Sequence, residues 1–396
     1  MEGKMEDKLY RSTGSEGSLT DIRWKNRNVS LDILRILCMF LIVLGHAMIH
    51  GQVLDAVAAN SPNYFLLHVL RAFLSVHVNC FVLISGYFLC THEFRIRKFF
   101  SLWGQAFFWS LTLYLFLCIS GFAPFALKSL LKACLPFTQQ RYWFVTTYLL
   151  MYLLVPILNA AVRSMSQRQH AYFLAVFFTV YIALQNLFFW EKFTSTNSYD
   201  PLFFAFLYLI AAYFRMYPAK RTKRFYLLCY IAACAFATIW KIGMSWLSVR
   251  LFGEVKGDII FLSYNSITMV IASACFFRFF EGLRITKKKI QRIAPLVSSL
   301  TFGIYLIHEQ PEVRTFLWQK LLCPFQFVQN PFLVFILLGI AITVFSFCAV
   351  LEYIRQRISH VILPKSRRIT LPDKLIKRVE FEVEKAFKLE HAEDEK

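Results

Sequence analysis

The chain has 396 residues, of which 57% are hydrophobic and only 17% are charged, and its formal net charge is +20. Soluble domains carry about a quarter of charged residues, so this composition excludes a soluble globular protein and indicates a polytopic membrane protein. The first apolar segment follows about thirty polar residues and is not followed by a small-residue cleavage site. We therefore expect it to stay in the protein as a helix and not to be removed as a signal peptide.

Ten apolar segments of bilayer length follow one another along the chain. They lie near residues 31–50, 64–90, 99–120, 143–162, 171–190, 200–216, 225–243, 259–277, 296–312 and 331–354. The sequence therefore predicts an all-α fold, a transmembrane bundle of about ten helices whose two termini lie on the same side of the membrane.

Lysine and arginine are concentrated in alternate connecting segments. Of the 44 basic residues, 33 lie in the N-terminal tail and in 91–98, 163–170, 215–225, 278–292 and 355–396. The positive-inside rule places these segments, and with them both termini, in the cytoplasm. Because the charge is divided among many loops and is not gathered on one face, it does not predict nucleic-acid binding.

Three parts of the chain follow from this pattern: a flexible cytoplasmic tail over 1–29, a transmembrane domain over 30–354 and a basic cytoplasmic tail over 355–396. In the last part, apolar residues recur every four positions, at Leu375, Val379, Val383 and Phe387. This spacing predicts an interfacial helix, with a solvated tail as the alternative. The half-apolar segment 121–142 predicts a short helix on the outer surface, where it would cover a site below it.

The first apolar segment carries two ionisable side chains, Arg35 and His46. Each costs roughly 2.5 to 3.5 kcal/mol near the middle of a spanning helix. Eleven residues correspond to about 1100°, which is roughly 20° more than three full turns, so the two side chains share one face about 16 Å apart. Asp32 precedes Arg35 by one turn. The stripe predicts that this face lines a polar passage.

Two further predicted helices carry polar stripes at i, i+3 and i+4 spacing. On the second helix the polar positions are His68, Arg71 and Ser75. On the ninth they are Thr301, Tyr305 and His308, with Glu309 alongside. In the predicted topology His46, Arg71 and His308 all reach the outer half of the membrane, and we expect them to meet there. The lone histidines His68 and His77 are interpreted as hydrogen-bonded core residues.

Other reactive residue types have plainer interpretations. Eight of the ten cysteines lie in apolar segments without metal-like spacing and are interpreted as small hydrophobic residues. A disulfide between Cys134 and Cys323, in predicted loops on the same side, stays open. We expect no bound metal. The tryptophans near predicted helix ends, Trp143, Trp190 and Trp246, are typical of an interfacial aromatic belt.

Four motifs in a fixed order carry a resemblance to a known family. Ten residues separate Arg35 from His46, FVLISGYF stands at 81–88, WFVTTYLLMYLLVP at 143–156 and YLIH at 305–308. With them the sequence resembles the acyltransferase 3 family, integral membrane enzymes that acylate sugars of bacterial surface and secreted glycans. The resemblance covers most of the predicted transmembrane domain.

The resemblance implies a multi-pass acyltransferase of the cell membrane, most simply an O-acetyltransferase. Its donor would be cytoplasmic acyl-CoA such as acetyl-CoA, its acceptor a glycan or lipid-linked sugar, and no cofactor would be permanently bound. His46 is expected to be the general base, because histidine titrates near neutrality. Arg35 would hold the donor or stabilise charge along the passage. The residues expected to bind the acceptor or to orient His46 are Arg71, His308, Glu309 and Trp143.

The cytoplasmic loop after the second helix departs from the family pattern. Many members place two arginines three residues apart there, to hold the phosphates of coenzyme A, whereas this loop supplies Arg95, Arg97 and Lys98. These three are expected to bind the donor. A lysine binds phosphate as a point charge and cannot form the bidentate contact of an arginine.

A transporter or flippase of a lipid-linked glycan is the competing interpretation, because it would also line a polar passage with arginine and histidine. Such proteins have paired halves with broken helices at corresponding positions. The sequence has no such symmetry, and the acyltransferase is favoured. Ser85 in the SGY run could act as a nucleophile, but its place near the cytoplasmic end favours a packing role.

Overall fold

The structure, a computed structural model, describes residues 28–188, 198–362 and 373–387. These residues form helices and turns without a strand, so the predicted all-α class is confirmed. Within these ranges, eight helices are long and apolar enough to cross a membrane, or nine if one bent pair counts as a span, and a shorter apolar helix of 16 residues lies among them. The tail over residues 1–27 and Trp190 lie outside the described residues.

The helices are numbered here in chain order. They are α1 (Val29–Ile49), α2 (Val53–Ala56), α3 (Pro62–Leu74), α4 (His77–Leu89), α5 (Ile96–Ile119), α6 (Leu127–Cys134), α7 (Trp143–Leu153), α8 (Val155–Ser164), α9 (Gln167–Phe178), α10 (Pro201–Met216), α11 (Lys223–Phe252), α12 (Ile267–Glu281), α13 (Lys288–His308), α14 (Pro311–Thr315), α15 (Leu333–Ile362) and α16 (Asp373–Phe387). A π-helical turn (Thr179–Ala183) and a last α-helical turn (Leu184–Leu187) continue α9 to the end of its span.

Two predicted single helices are interrupted. The span over 64–90 has an irregular turn between α3 and α4, where the Ser75 hydroxyl donates to the Arg71 carbonyl at 2.8 Å and competes with the helical hydrogen bonds. The span over 143–162 bends by 51° between α7 and α8. Pro156 explains the bend, because it lacks an amide hydrogen and its ring clashes with the carbonyl four residues earlier.

The spans alternate in direction, so each membrane side can be followed through the fold. We call the side at which α1 begins the basic side, because the segments that connect helices there carry most of the lysines and arginines. The basic side also contains the end of α4 and the beginning of α5. The other side, here the opposite side, contains the beginning of α7 and the end of α13.

Two short helices lie outside the bundle. The helix predicted within 121–142 is α6, whose Leu127 and Leu131 side chains are exposed where an interfacial helix would contact lipid. The helix predicted in the C-terminal segment is α16, which packs on α8 and α5 at the basic side and buries Ile376. Cys134 and Cys323 are both free, so the disulfide left open by the sequence is not formed.

Helix α10 is buried almost all round and packs closely against α4. At the crossing, a Cβ atom on Gly86 would lie 2.9 Å from Cα and 3.0 Å from the carbonyl oxygen of Tyr208. Small residues allow membrane helices to approach in this way. The SGY run of α4 therefore has a packing function at its glycine.

Replacing Gly86 with alanine is expected to destabilise the fold by about 1 to 3 kcal/mol, because the new methyl group meets backbone atoms that cannot rotate away. The measurement is the thermal unfolding midpoint of the purified protein in detergent. Gly339→Ala is the matched control, since no atom lies within 4 Å of a Cβ at that position of α15. Equal midpoints for the two variants would contradict the close crossing.

Candidate active site

A cavity of about 870 Å³ extends along α1 through much of the bundle. Its lining residues on α1 begin at Arg35 and end at His50, which corresponds to roughly 22 Å of helix axis at 1.5 Å per residue. Lys98 and Ser298 line it at the basic side, and Arg314 lines it at the opposite side. The polar passage predicted from the spacing of Arg35 and His46 is therefore present as a cavity.

His46 lies in a cluster of ionisable side chains near the opposite side. Its Nδ1 atom is 3.1 Å from Nε2 of His308, with hydrogen-bond geometry, and 3.1 Å from the carboxylate oxygen Oε2 of Glu309. His50 Nε2 is 3.4 Å from the same oxygen. The guanidinium of Arg314 donates to Oε1 of Glu309 at 2.9 Å. Glu309 is 3% exposed, and the guanidinium of Arg314 is the permanent cation that compensates the burial of its charge.

The hydrogen bonds of His308 indicate the tautomer of His46. His308 is fully buried, and its Nδ1–H donates to the Ile304 carbonyl at 2.6 Å. In the neutral ring its Nε2 is then an acceptor, and the proton shared with His46 belongs to Nδ1 of His46. This leaves the lone pair of His46 on Nε2. His46 also lines the cavity.

The basic end of the cavity combines positive charge with hydroxyl groups. Arg35 Nη1 donates to Ser298 Oγ at 3.1 Å and lies 3.7 Å from Asp32 Oδ1. These contacts hold the guanidinium on α1 against α13. Lys98 lines the same end, and its ammonium lies 5.7 Å from the centre of the Tyr152 ring.

The structure separates the predicted site residues into two groups. Five of them line the cavity: Arg35, His46, Lys98, Trp143 and Glu309. The other four are not among its lining residues: Arg71, Arg95, Arg97 and His308. His308 contacts His46 as expected, but it is fully buried and does not line the cavity itself. Arg71 is not part of the cluster around His46; its electrostatic partners are Asp258, Tyr264 and Asp55.

Three ionisable residues near the cavity or in the buried core were not predicted from the sequence: His50, Arg314 and Glu352. His50 follows His46 by one helical turn, and that spacing carried a signal. Arg314 follows Glu309 by five residues, across the turn between α13 and α14, and this spacing carried none. Glu352 was visible only as a lone acid in an apolar segment. Its carboxylate is fully buried and accepts hydrogen bonds from Gln105 (3.0 Å) and Trp109 (2.9 Å) on α5.

Glu352 lies where α5, α13 and α15 meet. Arg355 and Gln356 of its own helix also donate to its carboxylate. A Cβ atom on Gly303 of α13 would lie 2.2 Å from its carboxyl carbon. A buried charge with this many donors tolerates the low dielectric of the bundle. Its hydrogen bonds join α15 to α5, and its side chain packs against Gly303 of α13, the helix that supplies Ser298 and His308.

Ligand atoms of His46, His50 and Glu309 lie within 4.8 Å of one another, a spacing at which a metal ion fits. The Nδ1 atom of His46 already bonds to His308, and Glu309 already pairs with Arg314. The contact of Arg314 competes with a cation for the carboxylate, whereas the contact of His308 occupies only one of the two nitrogens of His46. That no metal is bound stays a prediction.

The fold and the cavity define a multi-pass membrane protein with a histidine and carboxylate centre inside the bundle. A family model for the acyltransferase domain of the acyltransferase 3 family matches residues 28–351. The chain therefore belongs to the acyltransferase 3 family and is a membrane acyltransferase. Searches of curated proteins and of solved structures find no match.

Proposed function

We propose that the protein transfers an acyl group, most simply acetyl, from acyl-CoA to a hydroxyl of a cell-surface or secreted glycan. The observation that carries the proposal is the cavity that joins Arg35 and Lys98 at the basic side with His46 near the opposite side. Two substrates that arrive from different sides of a membrane need such a connection. The proposed location is the cell membrane, with the basic side in the cytoplasm.

Arg35 and Lys98 are proposed to receive the phosphates of the donor. Both are cationic and line the basic end, whereas Arg95 and Arg97 lie near it on α5 and its cap and would attract the donor from outside the cavity. Arg35 and His46 are separated by roughly 16 Å of helix. An extended pantetheine arm can cover a separation of this kind and bring the thioester to His46.

The arrangement around His46 supports a role as general base. The acceptor hydroxyl oxygen would attack the thioester carbon while Nε2 of His46 takes the hydroxyl proton. The carbon–sulfur bond then breaks, the ester remains on the sugar and the coenzyme A sulfur leaves with the proton that His46 returns. Glu309 would stabilise the imidazolium that exists between these steps, because its carboxylate lies 3.1 Å from Nδ1.

His308 and Arg71 have different places in this proposal. His308 has no surface on the cavity, so orienting His46 is the role that its position supports best. Arg71 can act on the acceptor only through residues such as Tyr264, and we propose for it an electrostatic influence at that end of the cavity. Trp143 and Glu309 line the cavity and remain candidates for direct contact with the acceptor.

In sealed membrane vesicles of known orientation, acyl-CoA is expected to support acylation of the glycan only when it is added to the basic side. The reason is that the cationic lining lies at that end and coenzyme A is too strongly charged to cross the bilayer. The measurement is the transfer of a labelled acyl group with donor added inside or outside.

Permeabilised vesicles of both orientations are the control and should show the same activity. Equal use of the donor from both faces of sealed vesicles would contradict the proposed direction. Movement of a lipid-linked glycan across the bilayer without acyl-CoA would favour a transporter.

A further inference from the structure

The opposite end of the cavity has an aromatic wall that the transfer reaction itself does not use. It consists of Trp143, Tyr199 and Tyr264, which come from the start of α7, the segment before α10 and the segment before α12, and all three line the cavity. The Trp143 and Tyr264 rings are nearly parallel, with an interplanar angle of 17° and centroids 6.3 Å apart. Tyr199 stands at 85° to Trp143, with centroids 4.5 Å apart.

An interfacial belt does not account for this wall. Belt residues direct their rings toward lipid and headgroups, whereas these rings face the cavity. Tyr199 is 54% exposed, although it lies beside two other aromatic rings that it could pack against more fully. The wall therefore leaves aromatic surface available to a ligand.

Polar groups border the wall on the side of His46. Gln140, Glu309 and Arg314 line the same end of the cavity and together offer an amide, a carboxylate and a guanidinium. Gln140 has a φ of 47°, a left-handed conformation that is uncommon for a residue other than glycine and is found disproportionately at functional positions. Donors and acceptors thus stand next to the two nearly parallel rings of Trp143 and Tyr264.

This combination matches the chemistry of a sugar ring. A pyranose has a face of polarised C–H bonds, which is attracted to the electron-rich face of an aromatic ring, and a rim of hydroxyls that need both donors and acceptors. The phosphates of the donor are better accommodated at the cationic end with Arg35 and Lys98. We propose that Trp143, Tyr199 and Tyr264 form a platform on which one sugar ring of the acceptor stacks, with Gln140 bonding its hydroxyls.

The platform deepens the proposed function and rests on it for the identity of the acceptor. It positions the ring whose hydroxyl is acylated within the half of the cavity that contains His46. The platform selects for a sugar ring as a class, because stacking depends on the C–H face, and the polar rim then distinguishes one hydroxyl arrangement from another.

The experiment measures sugar binding separately from acyl transfer. Saturation-transfer NMR is recorded on the full-length protein in detergent with a panel of neutral hexose and N-acetylhexosamine oligosaccharides. Saturation of the protein aromatic resonances should appear on ring C–H protons of at least one oligosaccharide. Trp143→Ala and Tyr264→Leu should reduce that signal at least fivefold and raise the acceptor KM at least tenfold, whereas Tyr264→Phe should keep both.

Trp103→Leu is the matched control, because Trp103 stacks on Phe107 and is not among the cavity-lining residues. It should bind the oligosaccharide as the wild-type protein does. Absence of sugar saturation in the wild-type protein, or an unchanged signal in Trp143→Ala, would overturn the platform. Loss of coenzyme A binding in Trp143→Ala would also overturn it, because the wall would then belong to the donor site.

Failure of the platform can be told apart from failure of the proposed function. Sugar binding that depends on Trp143, without any transfer of an acyl group to a sugar, would support the platform and refute the glycan acyltransferase. Transfer to a sugar that does not depend on Trp143 or Tyr264 would refute the platform and support the glycan acyltransferase.

Discussion

Replacing His46 with alanine is expected to reduce acyl transfer by a factor of about 10² to 10⁴, the usual cost of losing a general base. The reason is that the lone pair on Nε2 of His46 is the proton acceptor that the hydrogen bonds of His308 make available at the cavity. The measurement is the initial rate of transfer by equal amounts of purified protein. The variant should insert and unfold as the wild type does.

Two additional measurements separate a missing base from a disturbed site. Added imidazole should restore part of the activity of His46→Ala, because the cavity of about 870 Å³ can admit a molecule of that size. His170→Asn is the matched control, since His170 is a buried histidine that bonds to the Leu209 carbonyl and is not among the cavity-lining residues. Transfer by His46→Ala within tenfold of the wild-type rate would refute the assignment of the base.

His308→Gln is expected to retain transfer within about tenfold, whereas His308→Asn and His308→Ala are expected to lose about 10²-fold. The side-chain oxygen of glutamine can occupy the position of Nε2 and accept the proton of His46 Nδ1, but asparagine is too short to reach it. An orienting partner that fixes a histidine tautomer can contribute as much as 10⁴-fold in related acyl-transfer chemistry.

The informative comparison is between the transfer rates of His308→Gln and His308→Asn. If His308 only supported the fold, the two variants would lose activity to a similar extent. Coenzyme A binding should stay unchanged in all three variants, since His308 is buried and remote from Arg35. Equal losses for glutamine and asparagine would show that His308 supports the fold and does not set the tautomer of His46.

Several features could be predicted from the sequence because they depend on local spacing alone. The apolar segments gave the all-α class and the approximate number of spans, since their lengths match the bilayer. The separation of Arg35 and His46 placed them on one face of α1, because helical periodicity is set by the backbone. Both residues do line the cavity. The sequence predicted one unbroken helix over 143–162, whereas the structure has a bend of 51° at Pro156.

Other features were decided only by how the helices pack. His46 and His308 are 262 residues apart, and the rotation of α13 about its axis determines whether His308 faces the cavity or lies behind its wall. The same packing leaves Arg71 outside the lining, although the depth of each residue along its helix suggested that the three would meet. Depth follows from the sequence because the rise per residue is constant.

The sequence by itself thus determined that the spans are helical and which face of α1 is polar. The tertiary structure decided which polar faces share a cavity, through contacts that no local pattern contains. Gly86 against Tyr208 and Gly303 against Glu352 set how closely neighbouring helices approach. The physical reason is that hydropathy and periodicity act within one segment, whereas rotation and spacing between helices result from the steric fit of residues distant in the chain.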